Sequence, residues 1–134
     1  RGNQETVETE ELKLILLIAF GGAIGSVGRY MVQGVLTKGD FPWGTFAVNL
    51  IGSFLIAMLF FLWSQGDGVG SIARAFLFIG VLGGFTTMSS FSLETVNLAT
   101  GGQWPWAMAN MFLNGGVCVL GAFLGRAAGL LVGS

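Results

Sequence analysis

Residues 75–93 run for 19 positions without a single charge. A helix rising about 1.5 Å per residue would cross a bilayer's hydrocarbon core in about that length. Residues 41–66 are also uncharged, and a long apolar run lies on each side of this pair. With 53% hydrophobic residues, 10% charged residues and a mean hydropathy of +0.76, the chain has integral-membrane composition. Its 134 residues suit one small domain.

The centre of the 75–93 run is unusual. After Gly83 and Gly84, five of the seven residues 86–92 carry hydroxyls: Thr86, Thr87, Ser89, Ser90 and Ser92. Gly loosens the helix backbone, and hydroxyls compete for its hydrogen bonds. Backbone freed inside a membrane must be buried in protein or line a polar cavity. Interrupted membrane helices commonly mark ion or substrate sites. One reading is therefore a third helix broken at mid-membrane to form a site. The other is a Ser/Thr-rich helix packed on its neighbours, with hydroxyls bonded back to carbonyls.

Several function classes are excluded. The formal net charge is −1, so there is no basic footprint for nucleic acid. One Cys and no His exclude an internal disulfide and argue against a transition-metal site. No nucleophile–base set, phosphate loop or dinucleotide fingerprint is present, so an enzyme is not expected.

Taken in order, residues 1–11 are polar and acidic, and read as a surface tail or a short interfacial helix. This stretch does not read as a secretory leader. Because the chain starts at Arg1, preceding residues are expected. A four-helix transmembrane domain is expected over 12–131, with spans at about 12–35, 43–63, 72–100 and 106–131. The linking stretches are 37–42, the Gly-rich 64–71 and 101–105. Gly21 and Gly25 are spaced by four, as are Gly121, Gly125 and Gly129, which favours close helix association. Arg29 and Arg126 lie within spans and should reach the interface or bond to a partner. All four Trp fall at span ends, as an aromatic belt requires.

Three polar stripes cross this apolar background. Thr45, Asn49 and Ser53 share one face of span two, and Asn110, Asn114 and Cys118 share one face of span four. The third comprises the span-three hydroxyls, with Phe91 among them. Glu94, four residues after Ser90, is an ionisable group in a long apolar context and is a functional candidate by default. Neutral amides and hydroxyls can donate to an anion, and a phenyl ring offers a positive edge. Such a path avoids a fixed cation that would trap the ion. Hydroxyl oxygens also suit cations, so charge sign stays open on these grounds. Four short helices leave little room for a wide pore, which favours an oligomer. Arg1, Lys13, Arg74 and Arg126 fall on the terminal side, Arg29 and Lys38 on the other. This weak bias allows insertion in both directions.

Three strings carry a resemblance. W-G-T-x-x-V-N-L at 43–50, G-G-x-T-T-x-S-x-F-S-x-E-T at 83–95 and G-x-x-G-R-Y at 25–30 resemble the CrcB/Fluc fluoride channel family. The resemblance covers all four spans. It implies an all-α, antiparallel, dual-topology homodimer in the cell inner membrane. Two pores at the dimer interface would let fluoride leave the cytoplasm by passive electrodiffusion. It also implies a structural sodium ion held centrally by backbone carbonyls of the span-three break, here those of Gly83 and Thr86. Asn49 matches the pore Asn and Phe91 the second of two pore Phe. The first falls on Met88, which is apolar and adaptable but has no ring. Thr45, Ser90, Glu94, Asn110, Asn114 and Cys118 match a polar track, the last three as substitutions where the family often has Tyr or Ser. Arg29 matches a vestibule Arg. An ionised carboxylate beside a fluoride path repels the ion, so Glu94 is expected to be neutral or tied to neighbouring hydroxyls.

Two other classes compete. Four spans, weak topology bias and one membrane Glu also fit a small dual-topology, proton-coupled exporter of organic cations. That reading wants the Glu in an aromatic cavity, whereas here it follows a Ser/Thr run. A structural assembly subunit would use its polar residues as interhelical glue. Such glue is worth about 0.6 kcal/mol per contact on average, and three aligned stripes exceed that need.

Overall fold

In a computed structural model, residues 1–66 and 70–134 are described, and all regular structure among them is helical. The Gly-rich turn expected at 64–71 therefore falls partly outside the described residues. Four helical stretches are long and apolar enough to cross a membrane: Gly2–Leu36, Trp43–Ser64, Ser71–Thr100 and Trp104–Gly133. We label the first two α1 and α2. The third consists of α3 (residues 71–85) and α4 (Met88–Thr100). The fourth is α5 (Trp104–Gly133).

The acidic stretch 1–11 belongs to α1, which is continuous from Gly2. Glu and Lys are good helix formers, and Lys13 pairs with Glu10 at 2.9 Å, one turn away. The linkers turn through Gly39 and Gly102, both at positive φ. They meet where Gln103 Nε2 donates to Asp40 Oδ2 at 3.3 Å. Phe41 is buried there, its ring 4.5 Å from Trp43 and 5.2 Å from Trp106. This aromatic cluster ties the starts of α2 and α5 together.

Glycine decides which helices touch. A Cβ on Gly21 would sit 2.6 Å from Phe76 O, and one on Gly84 would sit 2.6 Å from Gly22 O. The α1 and α3 backbones are thus in direct contact. In α5, added Cβ atoms on Gly125 and Gly129 would overlap the carbonyl oxygens of Phe54 and Met58 of α2. The third span changes partners along its length: α3 packs on α1, and α4 packs on the start of α5.

Polarity is inverted relative to a water-soluble fold. The largest fully buried side chains are Val48, Asn110 and Thr45, while Phe20, Phe112, Phe123 and Leu131 are exposed. A soluble monomer rarely shows so extensive an apolar surface. Lipid solvates it, and the polar groups find partners inside. The protein is accordingly a multi-pass membrane protein.

Two stretches are wider than an α-helix. Residues Ala75–Leu82 and Leu113–Val117 form π-helical turns. Such turns commonly accompany functional sites. One leads into Gly83 and the other carries Asn114. Nothing in the sequence pattern signalled either.

Candidate functional site

Helix α3 ends at Phe85. Thr86 and Thr87 are extended, with ψ of 157° and 116°, and α4 starts at Met88. Thr87 caps α4: Ser90 N donates to Thr87 Oγ1 at 3.2 Å. The freed backbone is taken up by side chains. Thr87 N donates to Asn49 Oδ1 at 2.8 Å, and Asn49 Nδ2 donates to Thr87 O at 3.1 Å. Arg29 Nε donates to Gly84 O at 3.1 Å. Arg29 thus joins the carbonyls before the interruption, and it lines none of the cavities below.

Asn49 also reaches span four. Its Nδ2 donates to Asn114 Oδ1 at 2.8 Å. Asn114 Nδ2 donates in turn to Asn110 Oδ1 at 2.9 Å and to Asn110 O at 3.0 Å. Asn110, fully buried, donates to Thr95 Oγ1 at 3.0 Å. The three amides form a ladder from α2 across to α5 and back to α4.

A separate chain runs beside it. Gln33 Nε2 donates to Thr45 Oγ1 at 2.9 Å, and Thr45 Oγ1 donates to Glu94 Oε1 at 2.7 Å. The Thr45 hydroxyl thus accepts from α1 and donates to α4. Glu94 Oε2 is buried and has no hydrogen-bond partner among the described residues.

A cavity of about 320 Å³ gathers much of the expected set. Asn49, Gly83, Thr86, Met88, Phe91 and Asn114 all line it, as does Cys118 of α5. A second cavity, of about 700 Å³, lies between the end of α1 and α4, where Gln33, Ser90 and Glu94 border it. Glu94 also borders a third, of about 290 Å³, with Asp40, Asn97 and Gln103. Thr45 and Asn110 line none of these: both are enclosed by their partners. Apart from Arg29, the expected residues therefore divide into a cavity group and two enclosed connectors.

Sequence reasoning did not place Gln33 or Thr95 in the site, and it gave Thr87 no individual role. Gln33 lies near a span end, where a polar residue is ordinary. Thr95 bonds back to Phe91 O at 2.7 Å, the usual habit of a helical Thr. Thr87 stands within the expected hydroxyl run, but nothing in the run marks it as the cap.

Gly83 and Thr86 were the expected cation ligands through their carbonyls. In a continuous helix, Thr87 N would bond to Gly83 O and Ser90 N to Thr86 O. Both donors are diverted here, to Asn49 Oδ1 and Thr87 Oγ1. Carbonyl oxygens released from a helix in this way fit a hard cation. No group of three or more His, Cys, Asp or Glu suited to a metal occurs among the described residues.

Comparison with known proteins returns one family. Residues 16–126 match the model described as CrcB-like protein, Camphor Resistance (CrcB). A Magnetococcus marinus protein named fluoride-specific ion channel FluC is 44% identical over 121 residues, which covers 88% of this chain and 98% of that protein. A Thermus thermophilus protein of the same name is 50% identical over 123 residues, covering 88% and 95%. One from Opitutus terrae, also so named, is 45% identical over 123 residues, covering 87% and 92%.

Proposed function

The chain belongs to the CrcB-like family, and from that premise we propose that it is a fluoride-selective ion channel, a transporter rather than an enzyme. The observation that carries the proposal is the cavity where Asn49, Phe91 and Asn114 meet beside the interruption. Amide donors and a ring edge can replace the water shell of a small anion without a fixed cation to trap it. Fluoride leaves the cytoplasm by passive electrodiffusion down its own gradient.

The working unit is an antiparallel, dual-topology homodimer in the cell inner membrane, with two pores at its interface. Gly83, Ser89 and Ser92 are exposed near the interruption on an otherwise lipid-facing helix, a surface better covered by protein than by lipid. The weak four-to-two bias of Lys and Arg between the two sides permits both insertions. The interruption at Thr86 and Thr87 lies at mid-membrane, where two copies cross. Gly83 and Thr86 supply carbonyls to one structural sodium ion there, which holds the crossing together. Met88 stands where the family has an aromatic residue, at 73% exposure. It keeps the path apolar without the ring's positive edge.

The deciding experiment is ion efflux from liposomes. Vesicles holding the purified protein are loaded with potassium fluoride, valinomycin carries the potassium current, and an electrode reads external fluoride. Rapid fluoride release is expected, with potassium chloride vesicles silent. No release from correctly folded dimers overturns the reading unless Met88→Phe restores it. Restoration would locate the loss at that side chain, and continued silence would favour the proton-coupled exporter.

A further inference from the structure

Asn49 is the anion donor in the channel reading, yet both hydrogens of its Nδ2 are engaged. One goes to Thr87 O at 3.1 Å and the other to Asn114 Oδ1 at 2.8 Å. The first belongs to the clamp on the interruption, and breaking it would strand a backbone carbonyl. The second joins two side chains that border the same cavity of about 320 Å³. Asn114 is itself held in place, because its Nδ2 donates to Asn110 at 2.9 Å and 3.0 Å. Asn110 is 0% exposed and anchored on Thr95. The ladder therefore aims a fixed neutral oxygen at the Asn49 hydrogen that the clamp leaves free.

We propose that Asn114 is a specificity-determining residue whose amide oxygen occupies the N–H of Asn49 not committed to the clamp and must be displaced by an incoming anion. This deepens the fluoride-channel reading and rests on it. Binding becomes an exchange of one acceptor for another. The gain is only the difference between a charge-assisted hydrogen bond and a neutral one. A compact anion with a strong preference for hydrogen bonds wins that exchange. A larger and weaker acceptor such as chloride gains less from the same donor and needs more room. Because occupancy stays weak, the ion can also leave, which conduction requires.

The test measures fluoride efflux from liposomes across a range of internal fluoride, giving a half-saturating concentration and a maximal rate. Asn114→Ala removes the competing oxygen. The half-saturating concentration should fall about fivefold, the worth of one neutral hydrogen bond. Asn114→Asp keeps an acceptor there and adds charge, so its half-saturating concentration should rise. A purely structural role would lower the rate in both variants without lowering that concentration in Asn114→Ala. Should Asn114→Ala not elute as the wild-type dimer, Asn114→Ser is read instead, since its hydroxyl ends short of Asn49. An unchanged or raised half-saturating concentration in the folded Ala or Ser variant overturns the inference while the channel reading stands. Silence of the wild-type protein toward fluoride overturns both.

Discussion

Thr87 presents both its N–H and its C=O to one side chain, Asn49, at 2.8 Å and 3.1 Å. A side-chain amide thus pairs with the backbone as the neighbouring residue of a strand would. Two extended residues between helices lose their helical partners, and in a membrane water cannot replace them. Asn49 supplies one donor and one acceptor in a geometry that few other side chains can reproduce. The residue proposed to meet the ion is also the one that holds the interruption open.

Asn49→Leu should therefore harm folding as well as transport. It leaves the Thr87 N–H and C=O without these partners, at about 1–3 kcal/mol for each group stranded. The expected result is a lower unfolding temperature of the purified protein, together with loss of fluoride efflux. A variant of wild-type stability would show that the clamp carries no structural weight.

The contact between α1 and α3 should be the least tolerant of added volume. A Cβ on Gly25 would overlap the Val81 carbonyl oxygen and come within 2.8 Å of Phe85 N, both backbone atoms. Gly25→Ala should cost at least about 1–3 kcal/mol, because neither helix can yield locally. On the same helix, a Cβ at Gly28 meets only the Phe85 ring, at 3.6 Å. Gly28→Ala should elute as a single species on size-exclusion chromatography, and Gly25→Ala should aggregate or elute poorly.

The four spans could be read from the sequence because length and hydropathy settle which segments a bilayer will accept. The spacing of Asn49 from Thr45 and Ser53 placed these residues on one face, yet it could not say which neighbour each one meets. Thr45 meets Gln33 and Glu94, whereas Asn49 meets Thr87 and Asn114. That division follows from how α2 is rotated against α1, α4 and α5, which the glycine contacts set. Asn110 read as a member of the path but is enclosed, because an amide with four bonding sites is satisfied more readily inside than beside a cavity. Of the two readings open for residues 1–11, a surface tail or a short helix, the structure continues α1 back to Gly2, because Glu-rich sequence is also good helix sequence.

Sodium should stabilise the protein if Gly83 and Thr86 hold it as proposed. A ligand that binds only the folded state at 100 times its dissociation constant adds about 2.7 kcal/mol. Exchanging sodium for N-methylglucamine at constant ionic strength should lower the unfolding temperature, and readdition of sodium should restore it. Lithium or potassium, at the wrong radius for the same carbonyls, should restore it less. Equal stability in all four salts would remove the proposed ion.

Glu94 raises the opposite question, since it is an acid beside a proposed anion path. Its Oε1 accepts from Thr45 at 2.7 Å, while its Oε2 has no partner among the described residues to lose. Glu94→Gln keeps the acceptor oxygen and removes any charge, so fluoride efflux should stay within about threefold of wild type, the scale of a single modest hydrogen bond. Thr45→Val removes the hydroxyl that links Gln33 to Glu94 and strands a polar group at both ends. It should lower both stability and efflux. The pair of variants separates charge from connectivity. If Glu94→Gln abolished efflux in a dimer of normal stability while Thr45→Val left it intact, the carboxylate itself would be part of the transport chemistry, and a coupled transporter would account for the chain better than a passive pore.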